Sequence, residues 1–378
     1  MHSHLTAIKL IAGATMALAA GCTASSQSDN TEILQIDMLA DIDRPDFDET
    51  SLKDVRYALL DTATEALLGE YAQIQGVIGD TVIVHDMTAM GDNSRLLLFD
   101  ANDGHLIRSI RHIGQGPGEY RWIRGVVTIP ERSEIILLSD KAHRYTTDDR
   151  YIESYSMSSK HGGALPIGSA ERGIHETDAF DGDLHIYQYD DRMTPVDTLV
   201  INNYEPRWIS IAFNQSDKES LINIVDTVYS LVPGEMQPVA VLSRGVKALT
   251  PEVENKVYIG RTDYEQAERE RQGYIEFLRF INDGPRFTVT YAYGGRNYFD
   301  TYSHKSGKLI ARRSFSDSDE DAGLLIPHDG RTMHITNYPF ISNGRYYSIV
   351  SEDETLGSDG EPSEELNRAL ISWSVEGE

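Results

Sequence analysis

The sequence predicts an all-β protein, a six-bladed β-propeller of four-stranded antiparallel blades that is closed by the two ends of the chain. Composition is the first reason, because 20 Tyr, many Val, Ile and Thr, and 30 Gly favour short strands joined by turns. A pattern of strand, turn and strand also recurs about every 40 residues, as in propeller repeats. A ring of such sheets covers both apolar faces of each sheet and leaves no long open edge.

The first residues predict an exported, lipid-anchored chain. Lys9 precedes an apolar run at 10–20 that is too short to span a bilayer as a mature helix. Residues 18–22 (Leu-Ala-Ala-Gly-Cys) resemble the lipobox of bacterial lipoproteins, and Cys22 is the only cysteine, so we expect it to carry the lipid. An ordinary cleaved signal with an incidental cysteine is the alternative. The predicted divisions are a signal peptide at 1–21, a flexible tether rich in Ser, Asp and Glu at 22–50, and the propeller at 51–378.

Six repeating units of up to four strands can be followed along the propeller region. We expect residues 57–60 to meet the last strand, so that the chain ends share one blade or lie side by side. Two helices are predicted, at 262–272 and 363–368. The units span 81–110, 134–156, 183–201, 221–242, 274–313 and 324–375.

A compact turn separates the first two units. Residues 111–120 (Arg-His-Ile-Gly-Gln-Gly-Pro-Gly-Glu-Tyr) contain three glycines and one proline within five positions. Proline holds the residue before it extended, and the glycines allow positive φ, so successive N–H groups could converge on an anion or a carbonyl. The alternative is a turn that only leads from the outer strand of one blade to the inner strand of the next. The candidate ligand-binding residues are Arg111, His112, Gln115, Glu119, Tyr120, Trp122 and Arg124.

Metal and cofactor signals are few. Asp317, Asp319 and Asp321 place carboxylates at alternate positions that could chelate Ca²⁺, but the twelfth position holds His328, where an EF-hand has glutamate. An acidic turn is the other interpretation. The histidines lack paired helical spacing, and no hydrolase, phosphate-loop or dinucleotide motif is present. We therefore predict no cofactor, with Ca²⁺ as the alternative.

The charge balance excludes one class of partner. Sixty acidic and 34 basic residues give a formal charge of −26, which repels nucleic acid. Because the carboxylates are dispersed, they indicate a solvated surface rather than an acidic binding face.

Several motifs together resemble a known family. They are 113–120, 226–229 (Asp-Thr-Val-Tyr), 319–323 (Asp-Glu-Asp-Ala-Gly) and 367–370 (Asn-Arg-Ala-Leu). In order and spacing they resemble the six-bladed β-propeller lipoproteins of Bacteroidetes, a group of propellers similar to the NHL and TolB types. The resemblance implies a cell-envelope propeller with no agreed catalytic chemistry.

The first functional hypothesis is a binding module for a glycan, peptide or protein partner, held at the bacterial cell envelope, in the outer membrane, through its lipid. The second is a hydrolase or lyase at the channel mouth that could be metal-dependent, since propellers also host such chemistry. A scaffold for an envelope complex is the third. Divalent metal in the purified protein, with turnover of lactones or glycans, would favour the enzyme.

Overall fold

The computed structural model describes most of the chain from residue 33 onward. Cys22, nearly all of the predicted signal and residues 363–367 of the second predicted helix lie outside the described residues. No helix in the described ranges is long and apolar enough to cross a membrane. The described ranges are 6–7, 33–69, 71–86, 94–157, 166–169, 173–180, 182–202, 220–224, 226–232, 234–249, 253, 263–316, 319, 322–336, 338–350 and 368–376.

Four short strands precede the first complete blade, and each later pairs with a distant part of the chain. They are β1 (Thr6–Ala7), β2 (Leu34–Asp37), β3 (Phe47–Asp48) and β4 (Ser51–Leu59). Blade 1 consists of β5 (Gln73–Ile78), β6 (Thr81–Asp86), β7 (Arg95–Asp100) and β8 (Leu106–Ile110). Blade 2 consists of β9 (Gly125–Ile129), β10 (Glu134–Leu138), β11 (Lys141–Thr146) and β12 (Tyr151–Ser156), with a 3₁₀ turn at Pro130–Arg132.

The next two blades follow the same antiparallel order, although blade 4 takes only three strands from this part of the chain. Blade 3 consists of β13 (Pro166–Ser169), β14 (Gly173–Phe180), β15 (Asp183–Tyr189) and β16 (Pro195–Ile201). Blade 4 contains β17 (Ser220–Ile224), β18 (Thr227–Val232) and β19 (Glu235–Ser243), followed by a 3₁₀ turn at Gly245–Lys247 and helix α1 (Tyr264–Arg271).

An extra hairpin separates the last two blades. Blade 5 consists of β20 (Glu276–Asn282), β21 (Arg286–Tyr293), β22 (Arg296–Ser303) and β23 (Leu309–Phe315). The hairpin is β24 (Leu324–His328) and β25 (Arg331–Ile335), and blade 6 contains β26 (Phe340–Ser342), β27 (Arg345–Val350) and β28 (Ala369–Glu376).

The N-terminal segment adds a fourth strand to blades 4 and 6 and a fifth strand to blade 5. Strand β2 pairs in parallel with β19, β3 pairs with β23, and β4 pairs antiparallel with β28 as the outer strand of blade 6. The last contact confirms that the ends of the chain close the six-bladed propeller. We call residues 34–59 the belt.

Two parts of the predicted organisation need correction. The tether was predicted to reach residue 50, but the belt begins at Leu34, because Leu34, Ile36 and Met38 alternate into the core of blades 4 and 5. Residues 324–335 were assigned to the last unit, but they form the separate hairpin β24–β25. The predicted helix at 262–272 is confirmed as α1. Thr6–Ala7, inside the predicted signal, pairs with the open edge of β16.

The core lies between neighbouring blades. In β6, Val82 and Val84 pack towards blade 6 while Ile83 packs towards blade 2, so the strand is apolar on both sides. Comparable clusters join blades 2 and 3, blades 3 and 4, and blades 4 and 5. Each fully buried Leu, Ile or Val contributes about 1.5–3 kcal/mol, so these clusters account for the stability of the ring.

Candidate functional site

The compact turn lies between the first two blades. It leads from β8, the outer strand of blade 1, to β9, the first strand of blade 2, which is the connection that the structural alternative predicted. Tyr120 is fully buried and packs with Ile110, Ile123 and Tyr145 in the cluster that both blades share. The turn is therefore wedged into the groove between the two blades.

The backbone N–H groups of the compact turn converge on an anion, and that anion is the carboxylate of Glu119 in the turn itself. Gln115 and Gly116 donate their N–H groups to Oε2 of Glu119, at 2.8 and 2.7 Å. A Cβ on Gly114 would lie 2.0 Å from the same oxygen, and one on Gly116 would lie 3.1 Å away. Glycine is needed at 114 because any side chain there would displace the carboxylate. The predicted nest is thus filled by Glu119.

Aromatic and polar contacts hold the turn against blade 2. His112 bonds through Nε2 to Oδ1 of Asp149 at 2.7 Å, and its ring stacks on Tyr145 at 5.4 Å. The Tyr145 hydroxyl donates to the carbonyl of Gly118, whose positive φ of 76° favours glycine. A side chain at Gly118 would also collide with the ring of Tyr151.

The Tyr120 hydroxyl is fixed within the groove. It donates to the carbonyl of Ile110 and accepts the N–H of His112, both at 3.3 Å. Burial raises the pKa of this hydroxyl to about 12, so it remains a donor at neutral pH. Tyr120 therefore serves packing in this structure.

Arg124 joins blade 2 to blade 3. Its Nη2 donates to the Ser139 carbonyl and lies 3.1 Å from Oε1 of Glu176, whose side chain is only 1% exposed. The Tyr189 hydroxyl donates to the other oxygen of Glu176 at 3.2 Å. Because Nη2 is committed in this way, Arg124 does not face outward with the rest of the predicted set.

Three of the seven predicted residues are exposed at the surface, and these are Arg111, Gln115 and Trp122. Trp122 is 46% exposed. Glu119 is also exposed as a residue, but its carboxylate is used by the turn. Around them lie residues that the sequence prediction missed. Ile107, Ile113 and Tyr151 are each 38–40% exposed, and Arg108, Arg121 and Arg150 are exposed.

We call the exposed side chains of this region the blade 1–2 surface. Within the described chain, Arg108, Arg121 and Arg150 have no carboxylate at salt-bridge distance, although the protein is strongly acidic. The sequence carries a partial signal for this surface, because each of these arginines adjoins an apolar or aromatic residue. Only the fold shows that 107–108 lie on β8 of blade 1, that 113 and 121–122 belong to the connection between the blades, and that Tyr151 of β12 lies against Gly118.

The acidic positions give little support for a metal in the described chain. Asp317 and Asp321 lie outside the described residues, and Asp319 accepts the N–H of Ser316 at 2.8 Å and Nη2 of Arg296 at 3.3 Å. Asp100, Asp103 and His105 are close enough to share an ion, but they form an exposed turn. There Oδ1 of Asp103 is bonded by the N–H and ring of His105, which lowers the pKa of Asp103 and raises that of His105.

Solved structures match this chain at low sequence identity, and one of them shares its fold with a TM-score above 0.5. A putative exported protein of Bacteroides fragilis has a TM-score of 0.62 at 14% identity, covering 92% of this chain and 99% of its own. A DUF4221 family member of Bacteroides vulgatus has a TM-score of 0.48 at 10% identity, covering 87% and 98%. Virginiamycin B lyase of Staphylococcus aureus has a TM-score of 0.37 at 10% identity, covering 84% and 98%, which supports no functional comparison.

A comparison with curated protein sequences finds no match. A family model described as a domain of unknown function, DUF4934, matches residues 34–374. The match begins at the first residue of β2, so the belt falls inside the family domain. The chain therefore belongs to the DUF4934 family.

Proposed function

We propose that this protein is a non-catalytic binding module of the bacterial cell envelope, and that its blade 1–2 surface binds an acidic segment of a partner protein. The observation that supports this proposal is a rigid turn that holds Trp122, Ile113 and neighbouring arginines in solvent. A turn whose N–H groups are already satisfied by Glu119 loses little conformational freedom on binding, and such preorganisation increases affinity.

The side chains of the surface indicate the chemistry of the partner. Trp, Tyr and Arg are the residues that most often dominate binding energy at protein interfaces. Arg108, Arg121 and Arg150 have no salt-bridge partner among the described residues, so they are available to carboxylates. The rest of the protein is acidic and would repel an acidic partner elsewhere, which directs such a segment to this surface.

The anchor is proposed from the sequence. Cys22 follows a signal-like segment and would receive the lipid, holding the propeller at the outer membrane. Residues 23–33 would then connect the lipid to the belt, and an extended chain of that length reaches at most about 35–40 Å. The propeller would thus stay close to the membrane, where envelope proteins are its nearest partners.

Binding can be tested with defined peptides. An array of synthetic 12-residue peptides that combine Asp or Glu with aromatic or aliphatic residues should bind the purified propeller, and their Lys-substituted counterparts should not. Trp122→Ala should weaken the binding about 30-fold, as expected for an interface hot spot of 2 kcal/mol. Val196→Ala, which truncates a residue 54% exposed on blade 3, is the matched control and should change nothing.

Two results would reject the proposed partner. One is binding to a glycan array without binding to acidic peptides. The other is an equal loss of peptide binding in Trp122→Ala and Val196→Ala. The anchor is tested separately by labelled palmitate, which should enter the wild-type protein and not Cys22→Ser; an unlabelled, soluble wild-type protein would contradict it.

A further inference from the structure

A cavity of about 370 Å³ lies between blades 5 and 6. The belt contributes Phe47 and Leu52 to its wall, and the hairpin β24–β25 contributes Ile326. Among the described residues, the other five blade junctions are filled by apolar clusters from both blades. In this junction Ile281 is the single blade 5 residue in the apolar cluster. The apolar packing of this junction therefore comes mainly from blade 6, the belt and the hairpin.

The wall on blade 5 combines the apolar residues Ile281, Phe299 and Ala311 with polar side chains, some of which come from the alternation of β21. Phe287 and Val289 face blade 4 and pack there. The residues between them, Arg286 and Thr288, face blade 6 and line the cavity. Thr288 forms a hydroxyl–hydroxyl hydrogen bond with Thr301 on β22, at 2.9 Å. A blade face that served packing alone would carry apolar side chains here, as the other blade faces do.

The opposite wall is apolar and aromatic. Tyr346 and Trp373 of blade 6 line the cavity and stack on each other, with ring centroids 5.6 Å apart and planes 12° apart. The Tyr346 hydroxyl is committed to Oδ2 of Asp283 at 2.8 Å, so the ring is fixed. One wall thus offers hydroxyl groups and the other offers flat apolar surface.

Two buried hydroxyls on the strands that face each other across this junction, outside the cavity lining, have no hydrogen-bond partner among the described residues. Thr290 follows Thr288 on the same face of β21 and is 1% exposed, and Ser348 follows Tyr346 on the same face of β27 and is 2% exposed. Buried polar groups are nearly always satisfied in folded proteins. Their position on the two facing strands indicates a place for a polar atom of a bound molecule.

The three arginines that line the cavity are already paired with carboxylates. Arg286 pairs with Asp283 at 2.6 Å, Arg313 pairs with Asp46 at 3.2 Å, and Arg312 pairs with a fully buried Asp300. An anionic ligand would have to break one of these pairs. A neutral ligand meets no such cost.

We propose that the cleft between blades 5 and 6 binds a neutral, ring-containing small molecule with an apolar face and one or two hydroxyl or carbonyl groups. The ring lies against Tyr346 and Trp373, and the polar groups meet the threonines of blade 5. The volume is at the lower end of the range for ligand pockets, which is about 300–1,000 Å³, so the molecule is small. This site is separate from the blade 1–2 surface.

The test compares 2-naphthol with naphthalene, which lacks the hydroxyl group, by quenching of Trp373 fluorescence and by calorimetry. Wild-type protein should bind 2-naphthol at one site and about tenfold more tightly than naphthalene, the factor expected for one hydrogen bond. The double variant Thr288→Val/Thr301→Val should lose this preference for 2-naphthol and keep the wild-type affinity for naphthalene. Ala311→Leu, which adds volume to the lining, should abolish binding of both probes.

Controls separate a lost site from a lost fold. Thr128→Val changes a buried threonine in blade 2 and should bind like the wild type, as should Trp122→Ala. If Ala311→Leu lowers the folded fraction, Ala311→Val replaces it in the test, because valine fills less of the cavity than leucine. The proposal is overturned if 2-naphthol does not saturate, if it binds no better than naphthalene, or if filling the cleft in a folded variant leaves the affinity unchanged.

Discussion

Arg312 joins the belt to blade 5, and its replacement gives the sharpest test of that connection. The side chains of Arg312 and Asp300 are both fully buried, and Nε donates to Oδ1 at 2.7 Å. The Nη1 group donates to the carbonyls of Asp41 and Arg44 in the belt. In Arg312→Met the Asp300 carboxylate would keep only the Tyr291 hydroxyl, at 2.8 Å, as a partner.

Removing one partner of a buried pair costs about 3–5 kcal/mol, because the other charge remains buried. For a chain of this size we expect the melting temperature to fall by about 4–7 °C, measured by circular dichroism. Limited proteolysis should cut Arg312→Met within 38–46 before the wild type. The double variant Arg312→Met/Asp300→Leu should recover most of the loss, since no charge is left unpaired.

Arg313→Met is the matched control, because its bond to Asp46 is partly exposed and such pairs contribute about 0–1 kcal/mol. If Arg312→Met is no less stable than Arg313→Met, or if the belt is cut no faster, the belt is not held by Arg312 and the reasoning is refuted.

Three further predictions concern closure, pH and the turn. Deleting residues 369–378 should unfold the ring cooperatively, because β28 lies between β27 and β4; an unchanged melting temperature would contradict closure. Burial lowers the pKa of His85 and His175 to about 4, from 6.5, so the unfolded chain binds more protons between these values. The free energy of unfolding in urea should therefore fall as pH drops from 6.5 to 4, by up to about 3 kcal/mol for each histidine. His85→Gln should reduce this dependence on pH. An equal dependence in the variant would refute the role given to His85. Gly114→Ala should displace the Glu119 carboxylate and lower the free energy of unfolding by about 1–3 kcal/mol. Gly79→Ala, in open space at positive φ, should lower it by about 1 kcal/mol through backbone strain alone. Equal losses would mean that the bonds to Glu119 contribute nothing to stability.

Much of the fold could be predicted because several inner blade strands are apolar on both sides, as β6 illustrates, and short turns separate the strands. The belt was missed because Leu34, Ile36 and Met38 form a short alternation inside a polar stretch, and nothing local shows that distant blades lack an outer strand. The hairpin β24–β25 was assigned to blade 6 because its strands have the same pattern as blade strands.

The candidate site was predictable in place but not in detail. Three glycines beside a proline do indicate converging N–H groups, yet the sequence cannot show that Glu119 itself is the anion they bind. Whether Tyr151 or Tyr120 faces solvent depends on the groove between two blades, and both are tyrosines next to turn residues. The cleft between blades 5 and 6 has no local signal, because its walls come from the belt, the hairpin and two blades.

The belt also sets the order in which the molecule can be completed. Its residues are made first, but Lys53 bonds to Ser374, 321 positions later. Strands β2, β3 and β4 leave the ribosome long before their partners β19, β23 and β28, and β4 cannot pair until the last strand has been made. Such distant pairing makes folding slow. The ring is therefore closed only after almost the whole chain has been made.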